Sequence, residues 1–138
     1  MRVSVVSRAL LFVRCTGESA SVPEVAMQYA LMIYADPGYA EALPDEEREA
    51  VRAEFAALVD DVQCVASAQL QPAETATCVR VAGGRTLMTD GPFADTKEVL
   101  GGICLFEAAN LDEAIDLAAR IPVTRFGGVV EIRPVVTR

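Results

Sequence analysis

The chain has 138 residues, 52% of them apolar and 23% charged, with a formal net charge of −8. That is one domain's worth of residues with enough apolar material for its own core, and neither a disordered nor a fibrous composition. The acidic balance argues against nucleic acid or an anionic membrane as partner, because both are met through basic patches.

The sequence contains no histidine, which removes the commonest general base, the commonest zinc ligand and the usual pH switch together. Cys15, Cys64, Cys78 and Cys104 form no C-x-x-C pair, so no metal site is expected. No cofactor motif is present either. Cys64, Cys78 and Cys104 lie in apolar runs and read as free core thiols of a cytoplasmic protein.

The first 26 residues stand apart. In "MRVSVVSRALLFVRC" the apolar run Ala9–Val13 is cut off by Arg14, too short for the 7–15 apolar residues or so of a signal peptide and far short of the roughly 20 of a membrane span. Residues 1–26 are expected to be a poorly ordered extension, or translation begun upstream of a start at Met27. Three of the 12 basic and two of the 20 acidic residues lie there, so Met27–Arg138 carries 9 − 18 = −9.

"MQYALMIYAD" reads as a first strand closed by the turn Asp36-Pro37-Gly38. Pro44 and Asp45 open a helix with Glu46 and Glu47 in its first turn, where the helix dipole favours anions. Val51, Phe55, Leu58, Val59 and Val62 recur at helical spacing as its apolar stripe. A short strand is expected at Val65–Leu70, before Pro72. "TATCVRVA", Gly83-Gly84 and "RTLMT" then read as a β-hairpin with a glycine turn.

After the loop "TDGPFADTKE" comes the strand "VLGGICLFEA", whose Gly101-Gly102 invites a bulge or a close backbone approach. Asn110 caps a second helix with Glu113 three positions on; Leu111, Ala114, Ile115 and Ala118 are its expected apolar face, and Pro122 stops it. "GGVVEIRPVV" closes the chain as a strand at a sheet edge or end, given Pro134.

Without the hairpin the order is a split βαβ arrangement. The expected fold is therefore α+β: a ferredoxin-like antiparallel sheet with two helices on one face and an inserted β-hairpin. A sheet with one wet face alternates apolar and polar residues. "ALMIYA" and "ICLFEA" do not, so both faces are covered. A homodimer packed sheet against sheet is the simplest cover.

"MTDGPFADTKEVLGG" closely resembles the signature of the DGPF proteins, a branch of the YCII-related family whose motif runs D-G-P-F-A-E-T-K-E before a glycine-rich strand. "LMIYAD", "LQP", "LDEAIDLAARIP" and "VEIRPV" extend the resemblance over Met27–Arg138. It implies a dimeric α+β barrel. It implies little about activity, since the wider superfamily includes lactone isomerases and cofactor-free monooxygenases, and some relatives are encoded beside sigma factors of the extracytoplasmic-function type. The His–Asp pair suspected in certain YCII proteins has no counterpart without a histidine. Asp95 replaces the motif's glutamate, one methylene shorter.

Two readings of the loop compete. In one, Asp95 with Lys97 or Asp90 moves a proton without cofactor, in isomerase or lactone-type chemistry, because neighbouring carboxylates push one pKa upward. Tyr34, Asp36, Phe93, Glu98 and Phe106 then line the pocket. In the other, Asp90 and Gly91-Pro92 only make a turn and Phe93 anchors it in the core. A turn needs one aspartate; the remaining charges are the case for a site. The favoured function is a small dimeric binding or regulatory protein with a pocket for an organic metabolite or a surface for a sigma factor, and a cofactor-independent enzyme is the alternative.

Overall fold

β1 (Met27–Ala35) is rich in branched and aromatic residues and occupies a central position in a four-stranded antiparallel sheet of order β2-β5-β1-β6. The computed structural model describes residues 27–137; the expected extension, residues 1–26, lies outside them. The further elements are α1 (Asp45–Val59), β2 (Cys64–Gln69), β3 (Thr77–Ala82), β4 (Arg85–Asp90), β5 (Val99–Ala108), α2 (Leu111–Ala119) and β6 (Val129–Pro134). Short 3-10 turns at Ala73–Thr75 and Pro122–Phe126 precede β3 and β6. With β3 and β4 set aside, this is the strand order of the ferredoxin-like fold. β3 and β4 pair with each other, Thr77 opposite Asp90 through Ala82 opposite Arg85, in a separate two-stranded sheet.

Strand parity assigns the faces, because successive side chains point to opposite sides. Tyr29 and Leu31 of β1 pair with Phe106 and Cys104 of β5, and all four are buried. They share one core with Leu58 of α1, with Ala114, Leu117 and Ala118 of α2, and with Ile121 and Val123 beyond it. Both helices therefore lie on the same face. Phe106 and Leu31 have no exposed surface at all, and full burial of each stabilises by about 1.5–3 kcal/mol.

The face of α2 differs from the expected one. Leu111 and Ile115 are 51% and 46% exposed, whereas Leu117 is buried. Leu111/Ala114/Ile115/Ala118 and Ala114/Leu117/Ala118/Ile121 have the same spacing, and the helix's rotation on the sheet selects the second. In α1 only Leu58 is fully buried, with Phe55 and Val59 packed at the margin; Val62 lies past the helix end and is exposed.

Helix ends are closed locally. The Asn110 side chain accepts from the Glu113 N–H at 2.9 Å, and the Glu113 carboxylate accepts from the Ala109 N–H at 2.6 Å, satisfying donors that a helix start leaves free. Pro44 provides no side-chain cap for α1. Arg48 stabilises that end instead, donating to the carbonyls of Ala40 (3.0 Å) and Leu43 (2.9 Å) and to Asp45 (3.0 Å).

One glycine is fixed by space. A Cβ on Gly128 would lie 2.5 Å from Val123 Cγ2 and 2.9 Å from the Tyr34 carbonyl oxygen. This close approach lets the turn at Pro122–Phe126 deliver the chain into β6 beside β1. β6 is an edge strand ending at Pro134, where a residue without an N–H interrupts least.

Candidate functional site

The face of the four-stranded sheet away from the helices carries the other parity. Its centre is Ala30, Met32 and Tyr34 of β1 beside Leu105, Ile103 and Leu100 of β5, extended by Ala66 and Ala68 of β2. Each of these is half-buried and none is fully so. Gln28 and Glu107 border one end, and Glu131 and Arg133 the β6 edge, with Arg133 donating to Glu131 at 2.9 Å. This is an apolar centre inside a polar rim, with no helix of the described residues upon it.

The DGPF loop leads into one end of this face. β5 starts at Val99 opposite Ala35, and Leu100 stands opposite Tyr34. The register between β1 and β5 shifts there by one residue, with Gly101 as the extra residue of β5, and the Leu70 N–H donates to the Gly101 carbonyl at 2.9 Å. Gly102 lies close to its neighbours, since a Cβ there would touch the Ala68 carbonyl oxygen at 3.4 Å. The glycine pair thus provides both the bulge and the close approach. Tyr34, Asp36 and Glu98 all come to this end of the sheet.

The expected charged site residues are mostly exposed. Asp36 is exposed and accepts from the Gly38 N–H at 3.0 Å, making an Asx turn. Asp90 ends β4 opposite Thr77 and is exposed, as are Asp95 and Lys97. Among the described residues, the side chains of these three make no hydrogen bond or ion pair. The loop's own bonds come from elsewhere: Thr96 Oγ1 donates to the Glu98 carbonyl at 2.6 Å.

Two aromatic assignments require correction. Phe106 cannot be a wall of the helix-free face, because it points to the helix side and is fully buried. Phe93 is no core anchor: it is 78% exposed, with the Arg80 guanidinium 5.5 Å from its ring centroid. The motif instead braces the β3–β4 hairpin. The Gly91 N–H donates to the Ala76 carbonyl at 2.7 Å, and the Cys78 thiol donates to the Gly91 carbonyl at 3.3 Å. Cys78 and Arg80 are two apart on β3 and hence on one face, which is the face the loop folds against. Sequence reasoning missed this contact, since nothing local in Arg80 points thirteen residues on to Phe93.

Among the described residues no group of three His, Cys, Asp or Glu side chains is placed to hold a metal ion, and no helix is long and apolar enough to cross a membrane. Cys64 and Cys104 are both buried, and burial, reinforced by neighbouring Cys64, pushes Cys104 up to about 12. It is an inert thiol at neutral pH.

An antiparallel sheet in split βαβ order, with both helices on one face, defines an α+β protein of ferredoxin-like layout. Residues 27–137 match the YCII-related domain. The chain is also 37% identical over 116 residues to Uncharacterized protein R00369 of Rhizobium meliloti (strain 1021), over 78% of this chain and 91% of that protein. The chain belongs to the YCII-related family.

Proposed function

We propose that this chain is a DGPF-branch member acting as a homodimer, its two helix-free sheet faces opposed as a dimeric α+β barrel with a small organic metabolite held between them. The observation that carries this reading is the apolar centre of that face: Ala30, Met32, Ile103 and Leu105 are half-exposed in the single chain, and a soluble sheet face left to water would alternate with polar residues. Tyr34 supplies a hydroxyl at the end of an otherwise apolar surface, which suits a ligand with an apolar body and one polar group. The module is a binder or regulator. A sigma factor of the extracytoplasmic-function type is the protein partner that the DGPF resemblance brings with it. Proton transfer by Asp95 with Asp90 or Lys97 is the weaker reading, because these three side chains are exposed and make no hydrogen bond or ion pair among the described residues.

The test has two arms. Light scattering on the full chain at micromolar concentration is expected to give twice the 14.7 kDa chain mass. Ile103→Glu, on the proposed seam, is expected to give a monomer, and Ile115→Glu, on the exposed side of α2, to leave the dimer intact. A monomeric parent ends the reading. Thermal unfolding against small organic acids, lactones and aromatic metabolites is the second arm. A ligand at about a hundred times its dissociation constant is expected to add roughly 2.7 kcal/mol, a shift on the order of 10 °C.

A further inference from the structure

The β3–β4 hairpin is a two-stranded arm whose strands pair only with each other among the described residues. Gly83 and Gly84, at φ +56° and +77°, form its turn between Ala82 and Arg85, which face each other. Both glycines are left-handed, as a two-residue type I′ turn requires. The hydrogen-bond phase of the ladder follows from its other end, where the Gly91 N–H donates to the Ala76 carbonyl one step beyond the pair Thr77/Asp90. In an antiparallel pair, bonded positions alternate with non-bonded ones. Cys78/Thr89, Arg80/Leu87 and Ala82/Arg85 are therefore the bonded pairs, and the last of them closes the turn.

The residues between them, Thr77, Val79 and Val81 on β3 and Thr86, Met88 and Asp90 on β4, turn their N–H and C=O groups outward. Among the described residues, no strand or loop backbone bonds to the outward groups of Val79, Val81, Thr86 or Met88. By strand parity the same six residues share one face. On it Val79, Val81 and Met88 are 59%, 71% and 73% exposed. The open backbone edges and the open apolar face thus belong to the same residues. The opposite face is the one that the DGPF loop folds against, at Cys78 and Arg80.

Bulges, charges and proline keep edge strands from pairing with other chains. The edges of the four-stranded sheet have them: β2 is bulged between Cys64 and Ala66, and β6 carries Glu131 and Arg133 and ends at Pro134. β3 has none on its open face. Thr77, Val79 and Val81 are β-branched and uncharged, and the register with β4 is unbroken. We infer that the outer edge of β3 is a strand-addition site for an extended segment of another protein, with apolar residues at alternate positions and a basic residue at the Thr77 end. Backbone bonds to Val79 and Val81 hold the segment, and every second side chain of it lies beside the two valines. Charge sets the sign of the partner. The one charge among the six residues of this face is Asp90, opposite Thr77, and Met27–Arg138 carries −9, so a basic segment is attracted. The site is a property of the hairpin and does not depend on the proposed dimer.

The probe is a pool of short synthetic peptides in which valine or isoleucine alternates with threonine or lysine, incubated with the full chain. Peptides that the chain retains are expected to slow hydrogen exchange at the Val79 and Val81 amides, with little change at Cys78 and Arg80, whose amides already bond within the hairpin. N-methylation of the peptide nitrogens that face β3 is expected to weaken binding by about tenfold or more, and methylation of the alternate nitrogens to leave it unchanged. Val79→Pro removes an outward N–H without touching the β3–β4 ladder. It is expected to weaken binding to the same extent with the far-UV dichroism unchanged; should that variant misfold, the methylated peptides read the same bonds on the unaltered chain. A pool from which nothing is retained overturns the inference, as does binding indifferent to which nitrogens are methylated. Protection of Val79 and Val81 in the chain alone, rising with its concentration, gives the edge to a second copy and overturns the assignment to another protein.

Discussion

The body and the arm of this domain contain the same kinds of apolar residue and treat them oppositely. In the body, Leu31, Cys104 and Phe106 are at most 1% exposed, enclosed by α1 and α2. In the arm, Val81 and Met88 are more than 70% exposed and nothing in the described chain covers them. The body hides its apolar surface by folding. The arm has one face stacked on its own loop and leaves the other open to water. Burial by the two helices accounts for the first set, and nothing in the described residues accounts for Val79, Val81 and Met88 on the hairpin.

The largest expected effect breaks the comparison at its strongest point. Phe106→Ala removes a fully buried ring from beneath both helices and is expected to cost about 3–5 kcal/mol, from the loss of transfer energy and the cavity left behind. Met88→Ala in the arm removes a side chain of comparable length that is 73% exposed. Its cost to the fold itself is expected to stay within about 0.5 kcal/mol. Urea unfolding of the two variants at matched concentration checks the pair. A large cost at Met88 that disappears on dilution would be loss of association and not loss of folding, which the concentration series separates.

Glycines sharpen the same division at intermediate size. Gly128→Ala forces a Cβ to within 2.5 Å of Val123 Cγ2 and 2.9 Å of the Tyr34 carbonyl oxygen. The backbone oxygen cannot turn aside as a side chain can, and the expected cost is about 1–3 kcal/mol, as for overpacking. Gly84 at the arm's turn has φ +77° and nothing within 4 Å of a Cβ. Its requirement is conformational, so Gly84→Asn, which tolerates the left-handed region, is expected to change stability by about 0.5 kcal/mol or less. Equal losses at both positions would mean that the arm is packed against its own body.

How much of this was legible in the sequence follows the same line. Strand and helix positions were readable where period and turn chemistry agreed: β1 up to Asp36-Pro37-Gly38, the Asn110 cap confirmed by its bond from Glu113 N–H, and the Gly101-Gly102 bulge. Apolar residues on both parities of β1 and β5 revealed that both sheet faces are special, a fact that needs no coordinates. The rotation of α2 was not readable, because two stripes of equal spacing overlap in "LDEAIDLAARI" and only the sheet beneath chooses between them. The turn at Pro122–Phe126 has no periodic signal at that length. For the candidate site, an aromatic beside Gly-Pro reads as an anchor, yet Phe93 stacks on Arg80 outside the body. Contacts between residues far apart in the chain carry no local trace.

Glu54 and Arg125 form such a contact, and theirs is the smallest effect expected here. The Arg125 guanidinium donates twice to the Glu54 carboxylate, at 2.8 and 2.9 Å, tying α1 to the turn before β6 across 71 positions. The hydrogen bonds from Arg125, with its positive charge, hold the Glu54 carboxyl below its usual value of 4.5. A carboxyl whose pKa is lower in the folded than in the unfolded state binds fewer protons when folded, so it stabilises above the unfolded value and stops doing so as pH falls through the folded one. Glu54→Gln is therefore expected to lower the thermal midpoint slightly near pH 7. The difference from the parent should shrink steadily below pH 4.5. Both side chains are about half exposed, so the effect is that of a surface pair, and added salt is expected to reduce it at neutral pH. A difference that persists undiminished into acid would mean that Glu54 stabilises by packing its methylenes and not by its charge. The Glu54–Arg125 pair would then belong with the body's apolar contacts, and the separation between a body held by burial and an arm left open to water would be sharper still.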